Sequence, residues 1–530
     1  MSVATIAAAS GEECVLPDLP DERSLFRALT QARAKFGGGT IAVVDGDERE
    51  LSYDTIIRAA LALGHALKRG TRSGEAVGIM LPTGAGAIIA FFALSAYGRV
   101  PAMLNFTCGA AGLKSALKTA KISRIVTARR FITLGKFDSL AEELSASAQM
   151  IYLEDVRDKL SPLDKAFAVT GSLVPGLVAA KAVPGKPAAI LFTSGTEGEP
   201  KGVALSHANL LANAEQVRAH IDILPGEIVF NPLPVFHCFG LTVGSLLPLF
   251  MGVKVICHPT PLQPREIVRR IRDTGATMLL STDTFLSQYG RAANDGELNG
   301  LRLAVCGAER LREDTRSFYK RKYGVELLEG YGVTEASPVV AANRIEQNRP
   351  GTVGHLMAGM EARLEPVEGI SNAGRLLLRG PNIMLGYIKS DNPGVIVPPK
   401  DGWHDTGDVV HIDEEGFIAI RGRLKRFANI GGEKVSLSVV ENCATSLWPE
   451  NHHAAVALPG ERKGEQIVLV TDYAQADRAA LLSWAQGHGV SELAVPRRIL
   501  HVEALPLLGT GKTNYVEVQK LAEKAVESAS

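Results

Sequence analysis

A polar loop in the first half of the chain carries residue types that bind phosphates. Residues 191–202 read Leu-Phe-Thr-Ser-Gly-Thr-Glu-Gly-Glu-Pro-Lys-Gly, and the apolar run 188–192 has the length of a buried strand. Glycines let backbone N–H groups turn toward a ligand, hydroxyls add donors, and a lysine adds positive charge. The sequence therefore predicts a polyphosphate site built from hydroxyls, glycines and a lysine, namely Thr193, Ser194, Thr196, Gly195, Gly198, Gly202 and Lys201.

The spacing of this loop differs from the commonest phosphate-binding motif. A Walker loop that started at Gly195 would require Gly-Lys-Ser/Thr where this chain has Pro200-Lys201-Gly202. A P-loop NTPase is therefore disfavoured. A solvated turn is the ordinary alternative, and the residue types favour phosphate binding over it.

Composition excludes several classes of protein. A chain of 530 residues is too long for one core, and 57 basic residues balance 57 acidic ones, so charge gives no reason to expect a nucleic-acid partner. Six scattered cysteines without a C-x-x-C pair indicate reduced thiols in a cytoplasmic protein. The longest apolar stretches are too short or too interrupted to cross a bilayer, which leaves only peripheral membrane contact open.

Short apolar segments alternate with helical patterns, which predicts an α/β fold with largely parallel sheets. Strands are expected at 41–44, 76–81, 124–128, 150–153, 253–257, 277–280 and 301–306, and helices at 53–67, 85–97, 239–250, 264–273 and 313–322. Glycine-rich alternation indicates a β subdomain at 351–422. The predicted organisation is a loose leader (1–20), a large N-terminal domain (21–422) and a small α+β C-terminal domain (423–530).

Two polar motifs after the loop could complete a nucleotide site. Residues 331–335 follow a strand, and ligands of open α/β sheets bind at the carboxyl ends of strands. There Thr334 could bond a phosphate and Glu335 could hold a metal ion, although an ordinary turn is the alternative. Residues 405–408 read Asp-Thr-Gly-Asp and offer a carboxylate for a ribose diol, or form a plain β-turn.

Two further motifs supply cations near and beyond the predicted domain boundary. Residues 422–425 read Gly-Arg-Leu-Lys, and residues 509–512 present a lysine on a glycine-flanked tip. A solvated linker and a loose tail are the respective alternatives.

This ordered set of motifs resembles the adenylate-forming superfamily of acyl-CoA synthetases, peptide-synthetase adenylation domains and luciferases, over residues 25–520. The resemblance implies ATP and Mg²⁺ as cofactors and a mobile C-terminal domain that rotates between two half-reactions. It assigns the β- and γ-phosphates to Thr193, Ser194, Gly195, Thr196, Glu197, Gly198 and Lys201, with Thr334 beside them. It assigns Mg²⁺ to Glu335, and adenine to Gly307, Ala308, Glu309, Tyr331 and Gly332.

The resemblance also assigns roles in the C-terminal third. Asp408 and Arg423 would hold the ribose, and Lys425 occupies the hinge position. Gly431-Gly432 would line the entry of the thiol, and Lys512 would bridge the substrate carboxylate and the α-phosphate.

Within the superfamily, residues 233–237, 281–285 and 391–394 are most similar to the synthetase half of bifunctional 2-acylglycerophosphoethanolamine acyltransferase/acyl-ACP synthetases. No histidine here has an aspartate five positions on, as the acyltransferase half would require. A stand-alone synthetase is therefore expected.

The expected acid is a medium- or long-chain fatty acid. By resemblance His237 lies at the mouth of the acyl pocket, and the apolar segment 238–250 could form its wall or could be an ordinary core helix. The acceptor would be coenzyme A or holo-acyl carrier protein, and the sequence does not decide between them. Arg265, Arg269 and Arg272 lie on one face of a predicted helix and could bind either acceptor, although a solvated charged face is the ordinary alternative. The alternatives are a fatty acid–AMP ligase that does not use coenzyme A, a synthetase for aromatic or short acids, and a non-catalytic binding protein, which the presence of Glu335 and Lys512 disfavours.

Overall fold

The computed structural model describes residues 5–7, 23–194, 200–370, 372–430, 433–460, 465–507 and 513–527. The chain divides into two compact units. The large unit comprises the described residues of Ala7–Glu361 and Arg379–His404, and the small unit those of Met1–Ile6, Ala362–Leu378 and Asp405–Ser530. The predicted boundary at residues 422 and 423 stays a prediction, as does the mobility of the C-terminal domain.

The secondary structure alternates between strands and helices over most of the chain. The strands are β1 Thr5–Ala7, β2 Ile41–Val44, β3 Glu50–Ser52, β4 Ala76–Ile79, β5 Val100–Met103, β6 Arg124–Thr127, β7 Gln149–Tyr152, β8 Pro187–Ser194, β9 Pro200–Ser206, β10 Ile228–Asn231, β11 Lys254–Cys257, β12 Met278–Ser281, β13 Leu303–Cys306, β14 Glu326–Gly332, β15 Val339–Ala342, β16 His355–Leu356, β17 Glu361–Pro366, β18 Gly374–Arg379, β19 Gly386–Lys389, β20 Asn392–Val397, β21 His404–Ile412, β22 Ile418–Arg423, β23 Phe427–Ile430, β24 Glu433–Ser436, β25 His453–Pro459, β26 Glu465–Thr471 and β27 Arg498–His501. The helices are α1 Leu25–Phe36, α2 Tyr53–Lys68, α3 Ala85–Ala96, α4 Gly109–Thr119, α5 Arg129–Gly135, α6 Asp138–Ser145, α7 Leu153–Asp158, α8 Pro162–Leu173, α9 Pro175–Val178, α10 His207–His220, α11 Leu247–Met251, α12 Pro264–Thr274, α13 Asp283–Ala292, α14 Glu313–Tyr323, α15 Leu437–Leu447, α16 Arg478–Gly487 and α17 Tyr515–Glu527.

Two extended sheets organise the described part of the large unit. One has the order β16-β15-β14-β13-β12-β10-β11-β2-β3, with parallel pairing from β14 to β2. The other has the order β20-β19-β9-β8-β5-β4-β6-β7, with parallel pairing from β8 to β7. The parallel strands are mostly apolar because both faces of such a sheet are covered, and the buried Glu329 of β14 is an exception. The predicted α/β class is confirmed.

Helix α3 shows how the core of the large unit is built. Its sequence is apolar on all sides, which is typical of a fully buried helix. Ten of its twelve residues are buried, and its phenylalanines belong to a core that also contains residues of α1, α2 and both sheets. The predicted helix 239–250 differs in detail, since Phe239–Leu246 forms a π-helical segment that continues into α11.

The small unit contains a five-stranded sheet, β1-β17-β18-β21-β22, the hairpin β23-β24 and the three-stranded sheet β25-β26-β27. Of the predicted leader, only residues 5–7 are described, and they form the edge strand β1. Helices α15 and α16 pack on one face of the three-stranded sheet, and α17 packs on the other. Across the described residues, no helix combines the length and the apolar character that a transmembrane span requires.

Candidate active site

The predicted phosphate-binding loop lies between β8 and β9, the two strands of an antiparallel hairpin. Strands β8 and β9 pair with Thr193 opposite Lys201, so these two predicted site residues are cross-strand neighbours. Predicted residues Gly195, Thr196, Glu197 and Gly198, and the side chain of Ser194, lie outside the described residues. The described part of the hairpin therefore contributes a hydroxyl and a cation at the base of the loop.

A tyrosine that the sequence analysis did not single out joins this hairpin to the predicted metal ligand. Tyr387 lies on β19, opposite Val203 of β9. The Lys201 ammonium lies 5.5 Å from the centroid of the Tyr387 ring, and the Tyr387 hydroxyl donates a hydrogen bond to Glu335 Oε1. Glu335 is buried in the turn that follows β14. Strand pairing thus assembles a cation, a phenol and a carboxylate from distant parts of the sequence.

The position of Glu335 fits a magnesium ion that a nucleotide brings with it. Mg²⁺ is usually bound by one or two carboxylates together with substrate phosphates. The buried carboxylate of Glu335 accepts the hydroxyl of Tyr387, which in turn lies under the Lys201 cation. One oriented carboxylate beside a phosphate-binding cation is the donor chemistry that such a site needs, so the residues present fit the ion.

The predicted adenine-binding segment follows β13 and lies at the same edge of the sheet as the end of β14. Parallel pairing of β12, β13 and β14 places their carboxyl ends together. A Cβ on Gly307 would lie 2.9 Å from Cε1 of Phe239, so the backbone and this ring leave no room for a side chain. Glu309 Oε2 accepts a hydrogen bond of 2.9 Å from the backbone N–H of Thr284 at the start of α13.

An apolar cavity of about 820 Å³, counting the part open to solvent, begins at these segments. Its lining includes the predicted adenine-site residues Gly307, Ala308, Tyr331 and Gly332. The rest of its lining is mostly aliphatic or aromatic and includes Val217 of α10, Ile221 directly after α10, Val229, Met278, Leu280 and Val305 of the sheet, and Phe239, Val243 and Leu247. The predicted apolar wall at 238–250 therefore contributes one of its sides to a cavity.

His237 lies at the start of the π-helical segment, and Phe239, two residues further on, lines the cavity. The His237 ring centroid is 4.8 Å from that of Phe236, and its backbone N–H donates to the carbonyl of Pro234 at 3.0 Å. Burial raises the pKa of the adjacent Cys238 thiol to about 12, and the charge of Glu335 adds to this effect. The start of this segment is therefore within electrostatic range of Glu335.

In the small unit, two predicted ribose-binding residues form a cross-strand pair. Asp408 of β21 lies opposite Arg423 of β22, and Arg423 Nε donates to Asp408 Oδ1 at 3.0 Å. Asp408 is buried, whereas the Arg423 side chain is 60 % exposed. Lys425 follows in the short turn Leu424–Arg426. The structure thus brings the predicted carboxylate and guanidinium together.

The predicted catalytic lysine, Lys512, and the pair Gly431-Gly432 lie outside the described residues. The segment that contains Lys512 is flanked by an antiparallel bridge between Leu507 and Thr513. Their roles stay predictions.

Comparison with known proteins decides the family. The model of the AMP-binding enzyme family matches residues 29–388, which is more than half of the chain. The chain belongs to the AMP-binding enzyme family. It is therefore a member of the adenylate-forming superfamily, whose enzymes activate a carboxylic acid with ATP through an acyl adenylate, as the sequence resemblance implied.

Three relatives of this AMP-binding enzyme align over most of both chains. A long-chain-fatty-acid–CoA ligase of Bacillus subtilis (strain 168) is 27% identical, with 93% of this chain and 95% of the relative covered. A medium-chain fatty-acid–CoA ligase of Escherichia coli (strain K12) is 26% identical, with 89% and 86% covered. A feruloyl-CoA synthase of an Amycolatopsis species is 27% identical, with 92% and 97% covered.

A solved structure of the same fold is ATP-bound MatB from Rhodopseudomonas palustris. It superimposes with a TM-score of 0.81 at 24% identity and covers 94% of this chain and 99% of its own. At this identity the likeness supports the fold of the AMP-binding enzyme alone.

Two buried carboxylates accept backbone hydrogen bonds from the residues that follow the predicted adenine-site segment. Glu329 Oε1 accepts the backbone N–H of Leu311 at 3.1 Å, and Asp283 Oδ1 accepts that of Arg312 at 3.0 Å. The nearest cation to Glu329 is Arg316, at 3.8 Å. Burial with so few donors raises the pKa of Glu329 to about 7.

The first prediction concerns Tyr387. Tyr387→Phe keeps the ring beneath Lys201 but removes the hydrogen bond to Glu335, an interaction of about 2 kcal/mol for a charged acceptor. We expect ATP–pyrophosphate exchange to slow about thirtyfold and to require more Mg²⁺. Tyr289→Phe, which removes a buried hydroxyl bonded to the Pro261 carbonyl, is the matched control and should leave exchange unchanged. Equal rates and Mg²⁺ requirements for Tyr387→Phe and wild type would contradict the assignment.

The second prediction concerns stability and pH. The folded-state pKa of Glu329, about 7, lies above its ordinary value of 4.5, so the folded protein holds this proton more tightly between those values. The contribution of Glu329 to stability should therefore fall by about 3 kcal/mol as pH rises from 4.5 to 7 and then level off, which appears as a fall in the stability of wild type relative to Glu329→Gln. Glu329→Gln should remove this dependence and be more stable than wild type at pH 8, as denaturant unfolding at several pH values would measure.

Glu297→Gln provides a control of opposite sign for that experiment. Hydrogen bonds from Arg265 lower the pKa of Glu297 to about 2, so its charge stabilises the folded state above its ordinary pKa. The substitution should destabilise the protein at neutral pH. If Glu329→Gln also destabilises at pH 8, the protonation of Glu329 is assigned wrongly.

Proposed function

We propose that the protein joins a medium- or long-chain fatty acid to coenzyme A through an acyl adenylate. The observation that carries this proposal is the apolar cavity whose lining includes the predicted adenine-site residues. An acyl chain that entered it would gain about 0.8 kcal/mol for each buried methylene group. Relatives named as long-chain and medium-chain fatty-acid–CoA ligases support the same class of acid.

The charged residues of the site have a physical task in this reaction. A carboxylate that attacks the α-phosphate brings two anions together, and positive charge must offset their repulsion. ATP with Mg²⁺ supplies the adenylyl group, and Glu335 would hold the ion. Lys201 and Thr193 would bind the outer phosphates, and Tyr387 would fix the carboxylate of Glu335 through its hydroxyl.

We propose coenzyme A as the acceptor because relatives that align over most of both chains are named as coenzyme A ligases. The predicted basic helix face supports neither acceptor, since Arg265 and Arg272 both pair with Glu297, and Arg269 pairs with Glu266, Glu48 and Asp273. These three guanidinium groups thus meet four carboxylates. The similarity to the acyl-ACP synthetase branch keeps the carrier protein as the competing acceptor in the assay.

A second candidate function is the activation of an aromatic acid. The feruloyl-CoA synthase relative, at 27% identity over 92% of this chain, favours it. The two candidates differ in what fills the cavity, so substrate preference separates them.

The third prediction is a preference for aliphatic acids that depends on the depth of the cavity. Pyrophosphate exchange should be faster with acids of eight to sixteen carbons, a range taken as roughly that of medium and long chains, than with acetate or ferulate. Val243→Phe inserts a ring into the cavity and should lower kcat/KM for the longest acid at least about tenfold relative to the shortest. KM for ATP should not change, and this serves as the internal control.

Two results would contradict the assignment of this cavity. Ferulate as the best acid would replace the fatty acid proposal with the second candidate. An unchanged preference in Val243→Phe would show that the acyl chain binds elsewhere.

The fourth prediction separates the two half-reactions. Lys512→Ala should abolish pyrophosphate exchange because the repulsion between carboxylate and α-phosphate is no longer offset, while thioester formation from supplied acyl-AMP continues. Lys520→Ala, an exposed lysine of α17 paired with Glu517, is the matched control and should support both steps. Normal exchange in Lys512→Ala would remove this lysine from the reaction. Assays with coenzyme A, with holo-acyl carrier protein and with neither would identify the acceptor.

A further inference from the structure

Exposed aliphatic side chains concentrate on one surface of the large unit. Among the described residues, fifteen large hydrophobic side chains are exposed, and six of them fall within a stretch of 21 residues: Leu163, Val169, Leu173, Val174, Leu177 and Val183. Leu163 and Leu177 are 79% and 86% exposed. These six residues are called the α8–α9 face below. Isolated exposed leucines are ordinary, but a contiguous group of them marks an interaction surface.

Helix α8 exposes aliphatic side chains to solvent. Its exposed residues include Leu163, Val169 and Leu173, while the residues on its inner side are buried Asp164, Ala168, Gly171 and Ser172 and the partly buried Phe167, which packs against the core. A surface helix normally exposes its polar side. Apart from Phe167, the inner side of α8 is small or polar, and its larger aliphatic side chains are left on the exposed side.

A buried ion network holds α8 in this orientation. Asp164 accepts hydrogen bonds from Arg69 Nη1 at 2.7 Å and from the Ser161 hydroxyl at 2.8 Å, and its carboxylate lies 2.7 Å from His65 Nδ1. The His65 ring stacks on Phe167 with centroids 4.5 Å apart. Rotation of α8 that buried its leucines would pull Asp164 out of this network. The apolar side is therefore fixed outward.

Cations surround the α8–α9 face. Lys159, Lys165, Lys181 and Lys186 are exposed, and residues 159–186 contain a single carboxylate, that of Asp164, which is buried and paired. The preceding acidic residues of α7 are all paired: Asp155 pairs with Arg129, Glu154 accepts backbone N–H groups of Arg129 and Arg130, and the exposed Asp158 pairs with Arg157. Residues 159–186 are thus aliphatic and cationic, with no exposed carboxylate of their own.

We propose that the α8–α9 face binds the surface of a lipid bilayer that contains anionic lipids. Leucines on a surface rimmed with lysines match the boundary between acyl chains and negatively charged headgroups. A second copy of this chain is a poorer occupant, because a two-fold contact would bring the same lysines together. The proposal does not depend on the proposed function, since binding to a bilayer requires neither substrate nor ATP.

Vesicle co-sedimentation of the full chain tests the proposal. Vesicles of two parts phosphatidylcholine to one part phosphatidylglycerol should bind the protein, and vesicles of phosphatidylcholine alone should bind it much less. The double variant L173D/L177D should lower the partition coefficient at least about tenfold. The matched control L224D/L262D places the same charges on two exposed leucines outside the face, which are 46% and 60% exposed, and should bind as wild type does.

Each result decides for or against the proposal. Loss of binding in L173D/L177D alone, with salt-sensitive binding of wild type, supports it. The proposal is overturned if wild type does not bind anionic vesicles, or if both double variants bind them equally. The proposal is also overturned if light scattering shows a dimer of wild type that L173D/L177D dissociates while vesicle binding stays the same. A second copy of the chain would then cover the face. Circular dichroism and pyrophosphate exchange verify that both variants are folded.

Discussion

Pairing between β9 and β19 is the interaction on which the described candidate site depends. Strand β9 has antiparallel partners on both sides, β8 and β19, so the base of the hairpin that is predicted to bind phosphate lies within the sheet and is not a free edge. One neighbour places Thr193 opposite Lys201, and the other brings Tyr387 beneath the same cation and against Glu335. Without this pairing, nothing described in the sheet would hold Tyr387 between Lys201 and Glu335.

The second part of the candidate site depends on the register of the parallel strands β12, β13 and β14 in the nine-stranded sheet. The carboxyl ends of β12, β13 and β14 coincide, which brings the segment after β13 beside the end of β14 and leaves an apolar cavity behind both. The π-helical segment that closes one side is shaped by polar contacts: Asn231 Nδ2 and Ser245 Oγ both donate to the carbonyl of Gly240 at 3.0 Å. A Cβ on Gly244 would lie 2.4 Å from Asn231, so glycine is required for this approach.

The features that sequence could predict are those set by local pattern. Apolar runs located the buried parallel strands, and the glycine loop pointed to the hairpin that carries Lys201. Tyr387 could not be found in this way, because it stands 186 residues from Lys201 and only non-local strand pairing joins them. The predicted helix 239–250 differs in detail because Asn231, which lies outside the segment, bonds to the carbonyl of Gly240 and packs against Gly244 within it.

Two buried carboxylates show that burial alone does not decide the charge of a group. Asp164 receives hydrogen bonds from Arg69, and from His65 and Ser161 as well, and these hold its pKa well below the usual range despite its burial. Glu329 has one backbone N–H and an arginine no closer than 3.8 Å, so desolvation raises its pKa to about 7. At Asp164 the hydrogen bonds outweigh desolvation, whereas at Glu329 desolvation outweighs the few hydrogen bonds. The orientation of α8 therefore persists wherever Asp164 is ionised, whereas Glu329, behind the predicted adenine-site segment, changes its charge near neutral pH.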